Sequence, residues 1–146
     1  MTNKLRLLWA ALKPGARVDA PRYAGDAGFD LTITEDVELL PNQVSNVPCS
    51  SRIALPRGFC SLVIGRSSMA RAGVHIYATL IDEKYHGPLF VLAQRIGSDP
   101  ITVHAGERIA QLLLVRIPPP IDVVQVDEND LPQSERGSKG FGSTGR

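Results

Sequence analysis

The apolar residues of this chain come in short runs, and every run is cut off by glycine, proline, asparagine or aspartate. "FDLTITEDVELL" (29–40), "FCSLVIG" (59–65), "VHIYATLID" (74–82), "PLFVLAQRI" (88–96), "ITVHA" (101–105) and "IAQLLLVRI" (109–117) are separated in this way, with Val, Ile and Thr recurring inside them. Runs of this length, rich in β-branched residues and bounded by turn formers, read as strands. Leu31, Ile33, Val37 and Leu39 share one parity of their segment, as do Val74, Ile76, Ala78 and Leu80 in theirs. A period of two places each set on one face of a strand. Eleven prolines argue against long helices. Residues 1–12 are the one stretch read as potentially helical. The expectation is an all-β domain.

A length of 146 residues fits one domain with a substantial core. Sixteen Lys and Arg against fifteen Asp and Glu leave a net charge of +1. That is too weak a field to grip long nucleic acid, so direct nucleic-acid binding is not expected and any anion handling must be local. The apolar run 5–12 lacks the long core and small-residue cleavage pattern of a secretory signal. No stretch approaches the ~20 apolar residues that cross a bilayer. An intracellular, cytoplasmic protein without membrane contact is expected. Cys49 and Cys60, with His75, His86 and His104 scattered, match no zinc spacing, and burial is the expected fate of the cysteines.

After "VRIPPPIDVVQV" the character changes to a polar stretch without periodic apolar residues. We divide the chain into a β domain, 1–126, and a C-terminal arm, 127–146. "IDVVQV" (121–126) reads as a strand-like piece. The arm ends in "RGSKGFGSTG" (136–145), whose glycines would let backbone N–H groups approach an anion, with Arg136 and Lys139 supplying charge and Ser143 and Thr144 hydroxyl donors. It is not a Walker A loop, since G-x-x-x-x-G-K-[ST] is absent. Phe141 is the telling residue, because a linker has no use for a ring whereas a nucleotide lid would stack one on a base.

Four other stretches carry candidate chemistry. "GRSSMAR" (65–71) offers the planar guanidinium fork of Arg66 beside the hydroxyls of Ser67 and Ser68, a phosphate-binding combination that also suits a polar turn between strands. In "LIDEKYHG" (80–87), Asp82 follows Leu80 and Ile81, so its carboxylate is expected to be partly desolvated, which suits a general base but also a turn cap. In "AGERIAQLL" (105–113), Gln111 is the polar exception among apolar neighbours, either outward-facing or aimed at a ligand. "AGDAGFDLTI" (24–33) sets Asp26 and Asp30 among glycines without the spacing of a calcium loop, which points to turn chemistry.

Taken in order, "AGFDL", "GRSSMA", "LIDEKYHG", "GERIAQLL" and "RGSKGFGSTG" resemble the five motifs of the homotrimeric dUTPase family, from about Ala27 to Gly145. The resemblance implies a distorted β jelly roll (β-clip) subunit whose homotrimer builds three active sites from parts of more than one chain. It implies hydrolysis of dUTP to dUMP and pyrophosphate by attack of water at the α-phosphorus, which keeps uracil out of DNA and supplies dUMP for thymidylate synthesis. Asp82 would orient and deprotonate the water. Leu80 and Ile81 would belong to the hairpin that reads the base, and Tyr85 would pack on the deoxyribose. Arg66, Ser67, Ser68 and Gln111 would hold the phosphates from a neighbouring subunit, with Asp30 in support. Arg136, Phe141, Gly142, Ser143 and Thr144 would close over the nucleotide. Mg²⁺ would be held by the substrate phosphates and water, without a protein cluster.

The chain departs from the family pattern at Tyr77 and Thr79, where Gly or Asn is usual, and at Gly65, Lys84 and His86. Tyr77 would either reshape the base pocket or point out of it. A dCTP deaminase shares the "GRSSMAR"-type stretch but needs a glutamate in the strand after the third motif, and "GPLFVLAQRIG" has no acid. The other rival is a dUTPase-like, nucleotide-gated regulatory binder, against which the retention of Asp82 together with the Phe141 lid argues.

Overall fold

The computed structural model describes residues 4–135 and 137. In chain order the strands are β1 (Leu8–Ala11), β2 (Val18–Asp19), β3 (Gly28–Thr32), β4 (Val37–Leu39), β5 (Val44–Pro48), β6 (Ser51–Ala54), β7 (Phe59–Gly65), β8 (Val74–Tyr77), β9 (Thr79–Ile81), β10 (Phe90–Arg95), β11 (Ile101–Val103) and β12 (Arg108–Arg116). A short helix α1 (Ser67–Arg71) joins β7 to β8. The larger sheet runs β2-β3-β12-β7-β9 and the smaller β5-β10-β8, all pairs antiparallel, with β1-β6 and β4-β11 as two-stranded ribbons.

The two larger sheets bury one side each in a common cluster. Leu31, Val63, Ile81 and Leu112 enter it from one sheet, and Val47, Val74, Val91 and Ala93 from the other. This is the two-layer, jelly-roll type of packing that closely alternating strands produce. Buried hydroxyls are satisfied locally, Ser61 Oγ donating to the Leu113 carbonyl at 3.2 Å and Ser51 Oγ to that of Cys49 at 3.3 Å. No helix among the described residues is long and apolar enough to cross a membrane.

Strand β12 is paired on both edges, with β3 and β7. Its register against β3 slips between Arg108 and Ala110, so Ile109 is an extra residue. This bulge lets Ile109 and Ala110 both enter the core, and it sets the alternation that follows: Leu112 inward, Gln111 on the opposite face.

Four sequence expectations are corrected. The parity set Val74, Ile76, Ala78, Leu80 does not share a face, because Val74 and Ile76 are buried while Leu80 is 57% exposed and Ile81 is buried in its place. The chain leaves the smaller sheet after Tyr77 and joins the larger at Thr79, and Ala78, which belongs to neither strand, inverts the alternation. Residues 1–12 contain no described helix. Leu8–Ala11 pair instead with β6, long-range strand pairing overriding local preference. "GRSSMAR" contains the helix α1 rather than a simple turn. Finally, 121–126 forms no strand within the chain, and Ile121, Val123 and Val124 are exposed.

Cys49 is fully buried, as expected, whereas Cys60 is half-buried. Burial pushes the Cys49 thiol up from its ordinary 9.0 to about 12. Because its folded pKa lies above the unfolded one, its contribution to stability is complete below pH 9.0 and lost as pH rises toward about 12. Iodoacetamide at about pH 9 should therefore label Cys60 well before Cys49 in the native protein, and both together once the chain is unfolded. Mass spectrometry of the labelled peptides reads the order.

Candidate active site

Two concave surfaces hold the candidate residues. The first is a polar groove of about 580 Å³ over the outer face of β3 and β12, lined by Asp30, Arg66, Ser67, Arg108 and Gln111 among others. Asp30 and Gln111 are direct cross-strand neighbours, and Ile64 of β7 flanks Gln111 on its other side. The bulge at Ile109 thus aims Gln111 into the groove. Its amide Nε2 donates to the Gly65 carbonyl at 3.1 Å. Gly28 makes this possible, since a Cβ there would overlap the Gln111 amide oxygen.

Asp30 is the electrostatic centre of the groove. One carboxylate oxygen meets Arg66 Nε at 3.1 Å and the other Arg108 Nη1 at 3.1 Å, with the Asp30 side chain 20% exposed. Arg66 also donates through Nη1 to the Arg108 carbonyl at 2.8 Å. Two cations share one carboxylate, which holds their guanidinium planes fixed, and Arg22, Asp19 and Asp26 line the same groove; fixed guanidinium forks suit phosphate oxygens. Asp30 therefore sits in a strand as a counter-ion, correcting its reading as turn chemistry.

The second surface is a cleft of about 310 Å³ between β9 and the β5-β10 face, lined by Asn46, Leu80, Ile81, Asp82, Tyr85 and Phe90 among others. Asp82 begins the turn after β9, and its carbonyl accepts the Tyr85 N–H at 3.0 Å. The Tyr85 hydroxyl donates to the Pro88 carbonyl at 2.9 Å, which fixes the ring against its own turn. Glu83 accepts the Gly58 N–H at 3.1 Å, and the His86 Nδ1–H donates to the Ile53 carbonyl at 3.2 Å. The turn is thus pinned from both sides. The Asp82 side chain itself is exposed and makes no ion pair with a described residue, so the partial desolvation expected of it is not supplied by its own chain. An apolar-walled cleft with one free carboxylate and one oriented ring fits a planar base and sugar beside a general base.

The dUTPase family profile matches residues 16–145. The chain belongs to the dUTPase family. It is 38% identical over 140 residues to a deoxyuridine 5'-triphosphate nucleotidohydrolase of Mycolicibacterium gilvum, covering 92% of this chain and 91% of that one. A Cutibacterium acnes protein of the same name is 41% identical over 131 residues, covering 86% and 84%. Among solved structures, the Staphylococcus bacteriophage 80alpha dUTPase with dUPNHPP superposes with a TM-score of 0.83 at 29% identity, over 99% of this chain and 100% of that one. The all-β jelly-roll fold agrees with these dUTPases.

Within this dUTPase chain, Arg66, Ser67, Gln111 and Asp30 come together in the groove, and Leu80, Ile81, Asp82 and Tyr85 in the cleft. Ser68 stands exposed on α1 and does not line the groove. Arg136, Phe141, Gly142, Ser143 and Thr144 lie outside the described residues. Sequence reasoning missed Arg108, Glu83 and Asn46. Arg108 was legible in principle as a cation two residues from a glycine turn and three before Gln111, while Asn46 comes from a remote strand that only folding brings near. Tyr77 points out of the cleft: its hydroxyl bonds Gln94 and its ring meets His75 edge-on at 4.6 Å.

Gly28→Ala should expel the Gln111 amide from its bond to Gly65 while the β3-β12 ladder persists. A shifted Gln111 side-chain amide resonance with little change in the backbone spectrum is the expected NMR result.

Proposed function

We propose that this chain hydrolyses dUTP to dUMP and pyrophosphate as a homotrimer in which each active site joins the cleft of one copy to the groove of another. The observation that carries this reading is the division of labour on one chain. The cleft holds a free carboxylate and a sugar-sized aromatic wall, the groove holds the cations, and the two share no lining residue. A nucleoside triphosphate needs both at once.

In this mechanism Tyr85 packs on the deoxyribose and excludes a 2′-hydroxyl, while the outer edge of β9, the last strand of its sheet, offers backbone groups to the pyrimidine. Asp82 accepts a proton from a water whose oxygen bonds to the α-phosphorus. The bond from that phosphorus to the bridging oxygen breaks, and pyrophosphate leaves. Arg66, Ser67 and Gln111 of a neighbouring copy hold the departing phosphates, with Arg108 beside them and Asp30 fixing both arginines. The arm residues Arg136, Phe141, Gly142, Ser143 and Thr144 close over the nucleotide. Preorganised charge and positioning provide most of the catalysis in phosphoryl chemistry.

Among the described residues no cluster of three acids, histidines or cysteines could hold a metal, and both Asp30 oxygens are engaged by arginines. These residues fit Mg²⁺ carried on triphosphate oxygens and water rather than in a protein cage. There it would neutralise phosphate charge and polarise the α-phosphorus. The substrate is an intracellular nucleotide, which supports a cytoplasmic location.

Pyrophosphate release should be measured with dUTP, dCTP, dTTP and UTP in Mg²⁺; turnover of dUTP is expected, and inertness toward every deoxyuridine nucleotide would reject the reading. Ammonia release from dCTP would favour the deaminase instead. Asp82→Asn should keep nucleotide affinity and lower kcat by about 10²- to 10⁴-fold, since the amide can hold the water but not take its proton. Removing residues 136–146 should strongly reduce turnover while the sedimentation coefficient still reports a trimer.

A further inference from the structure

The helix α1 is five residues long and buries none of its side chains fully, so it cannot hold its own orientation. Its N-terminal end carries Arg66 and Ser67 into the polar groove, and Met69 packs partly against the core. Its C-terminal end is gripped by Arg95, the last residue of β10, through a set of contacts that no part of the proposed chemistry uses. Arg95 Nη1 donates to the Ala72 carbonyl at 2.7 Å and to the Gly73 carbonyl at 3.1 Å, and Nε donates to the Asp99 carbonyl at 2.9 Å. The next backbone group, Ile96 N–H, donates to Gly73 as well, at 2.8 Å. Gly73 has φ +73°, and a Cβ there would overlap the Arg95 guanidinium, so the residue closing the helix is shaped to admit this side chain. A planar, always-charged fork placed on the free carbonyls of a helix end is well suited to the negative end of the helix dipole.

We infer that Arg95 is a positioning residue for phosphate binding, acting through α1 on Arg66 and Ser67. With the clasp removed, the C-terminal end of α1 keeps only the Ile96 N–H bond to Gly73, while Met69 holds its centre and Asp30 the Arg66 guanidinium, so the short helix shifts and displaces Ser67 and the Arg66 backbone relative to Arg108 and Gln111, which stay fixed by the β12 ladder. The cleft has anchors of its own: Asp82 and Tyr85 are held through Glu83 and His86 to Gly58 and Ile53, and Phe90 and Leu92, the β10 residues that line it, are held in the ladder with β5. Loss of Arg95 therefore damages the phosphate end of the site selectively.

This inference rests on the proposed assignment of the groove to the phosphates. The test uses the full chain and two probes, inorganic pyrophosphate and deoxyuridine, as competitive inhibitors of dUTP turnover. Arg95→Ala should raise the inhibition constant of pyrophosphate and the KM for dUTP by about tenfold, and leave that of deoxyuridine within about twofold. Arg95→Lys, whose ammonium reaches one carbonyl, should recover part of the loss. Equal weakening of both probes, or a lowered melting temperature with both constants unchanged, would overturn the inference. Should Arg95→Ala fail to fold, Arg95→Lys and Arg95→Gln decide it: pyrophosphate affinity graded Lys above Gln at constant deoxyuridine affinity supports it, and ungraded affinity overturns it. If wild-type protein turns over dUTP but the Arg95 variants are indifferent, this inference fails and the proposed function stands; an inert wild type fails the function itself.

Discussion

Pairing of β12 on both edges, with one extra residue admitted at Ile109, is the constraint from which the site geometry follows. Ala110 and Leu112 are fully buried, so the strand cannot slip by one without turning them out and turning Gln111 in. A slip would bury an amide without partners at a cost of about 1–3 kcal/mol and expose leucine at a comparable one. The core thereby enforces the register, and the register delivers Gln111 opposite Asp30. The candidate site thus lies on the reverse side of the residues that hold the sheets together.

Asp30 uses that register to gather two arginines, the proposed anion site. A lone arginine on a surface strand or short helix would sample many rotamers and would have to be ordered when an anion arrived. Arg66 comes from the end of β7 and Arg108 from the start of β12, and one carboxylate of low exposure draws both to the same point. The ordering is done on folding, so less is lost on binding. The same carboxylate cancels only part of the charge of these two arginines, and Arg22, Asp19 and Asp26 line the same groove. In the proposed site, a chain of net charge +1 would meet a highly charged ligand with a few fixed guanidinium forks rather than with a general positive surface.

The sequence was most readable where local pattern and long-range pairing agree. The runs around Leu31, Val63, Val91 and Leu112 are strands because their alternation matches a sheet face on which each is buried. It was least readable where a strand changes partners. Leu80 has the parity of a core residue and lies exposed in the cleft, because a single residue, Ala78, separates two strands belonging to different sheets. The apolar stretch near the N-terminus misled for a related reason: its strand state depends on Ser51–Ala54, whose paired residues lie 40 to 46 positions away. Asp82 and Tyr85, which line the cleft, and Arg66 and Gln111, which line the groove, were singled out because each stood in a motif of ordered spacing. Arg108, Glu83 and Asn46 were not singled out, because their roles come from what they touch.

The separation of cleft and groove also bears on the exposed apolar segment after β12. Ile121, Val123, Val124 and Leu131 stand in solvent in one chain, 98% exposed at Val123. Three consecutive prolines, 118–120, precede them and favour an extended backbone there. An extended, apolar, unpaired segment is a poor solution for a monomer and a good one for an assembly, where a neighbouring copy covers it. The proposed trimer would bring cleft and groove together and could cover this segment by the same association. Assembly and catalysis would then share one requirement, and a chain that could not associate would lack both a complete site and a stable surface.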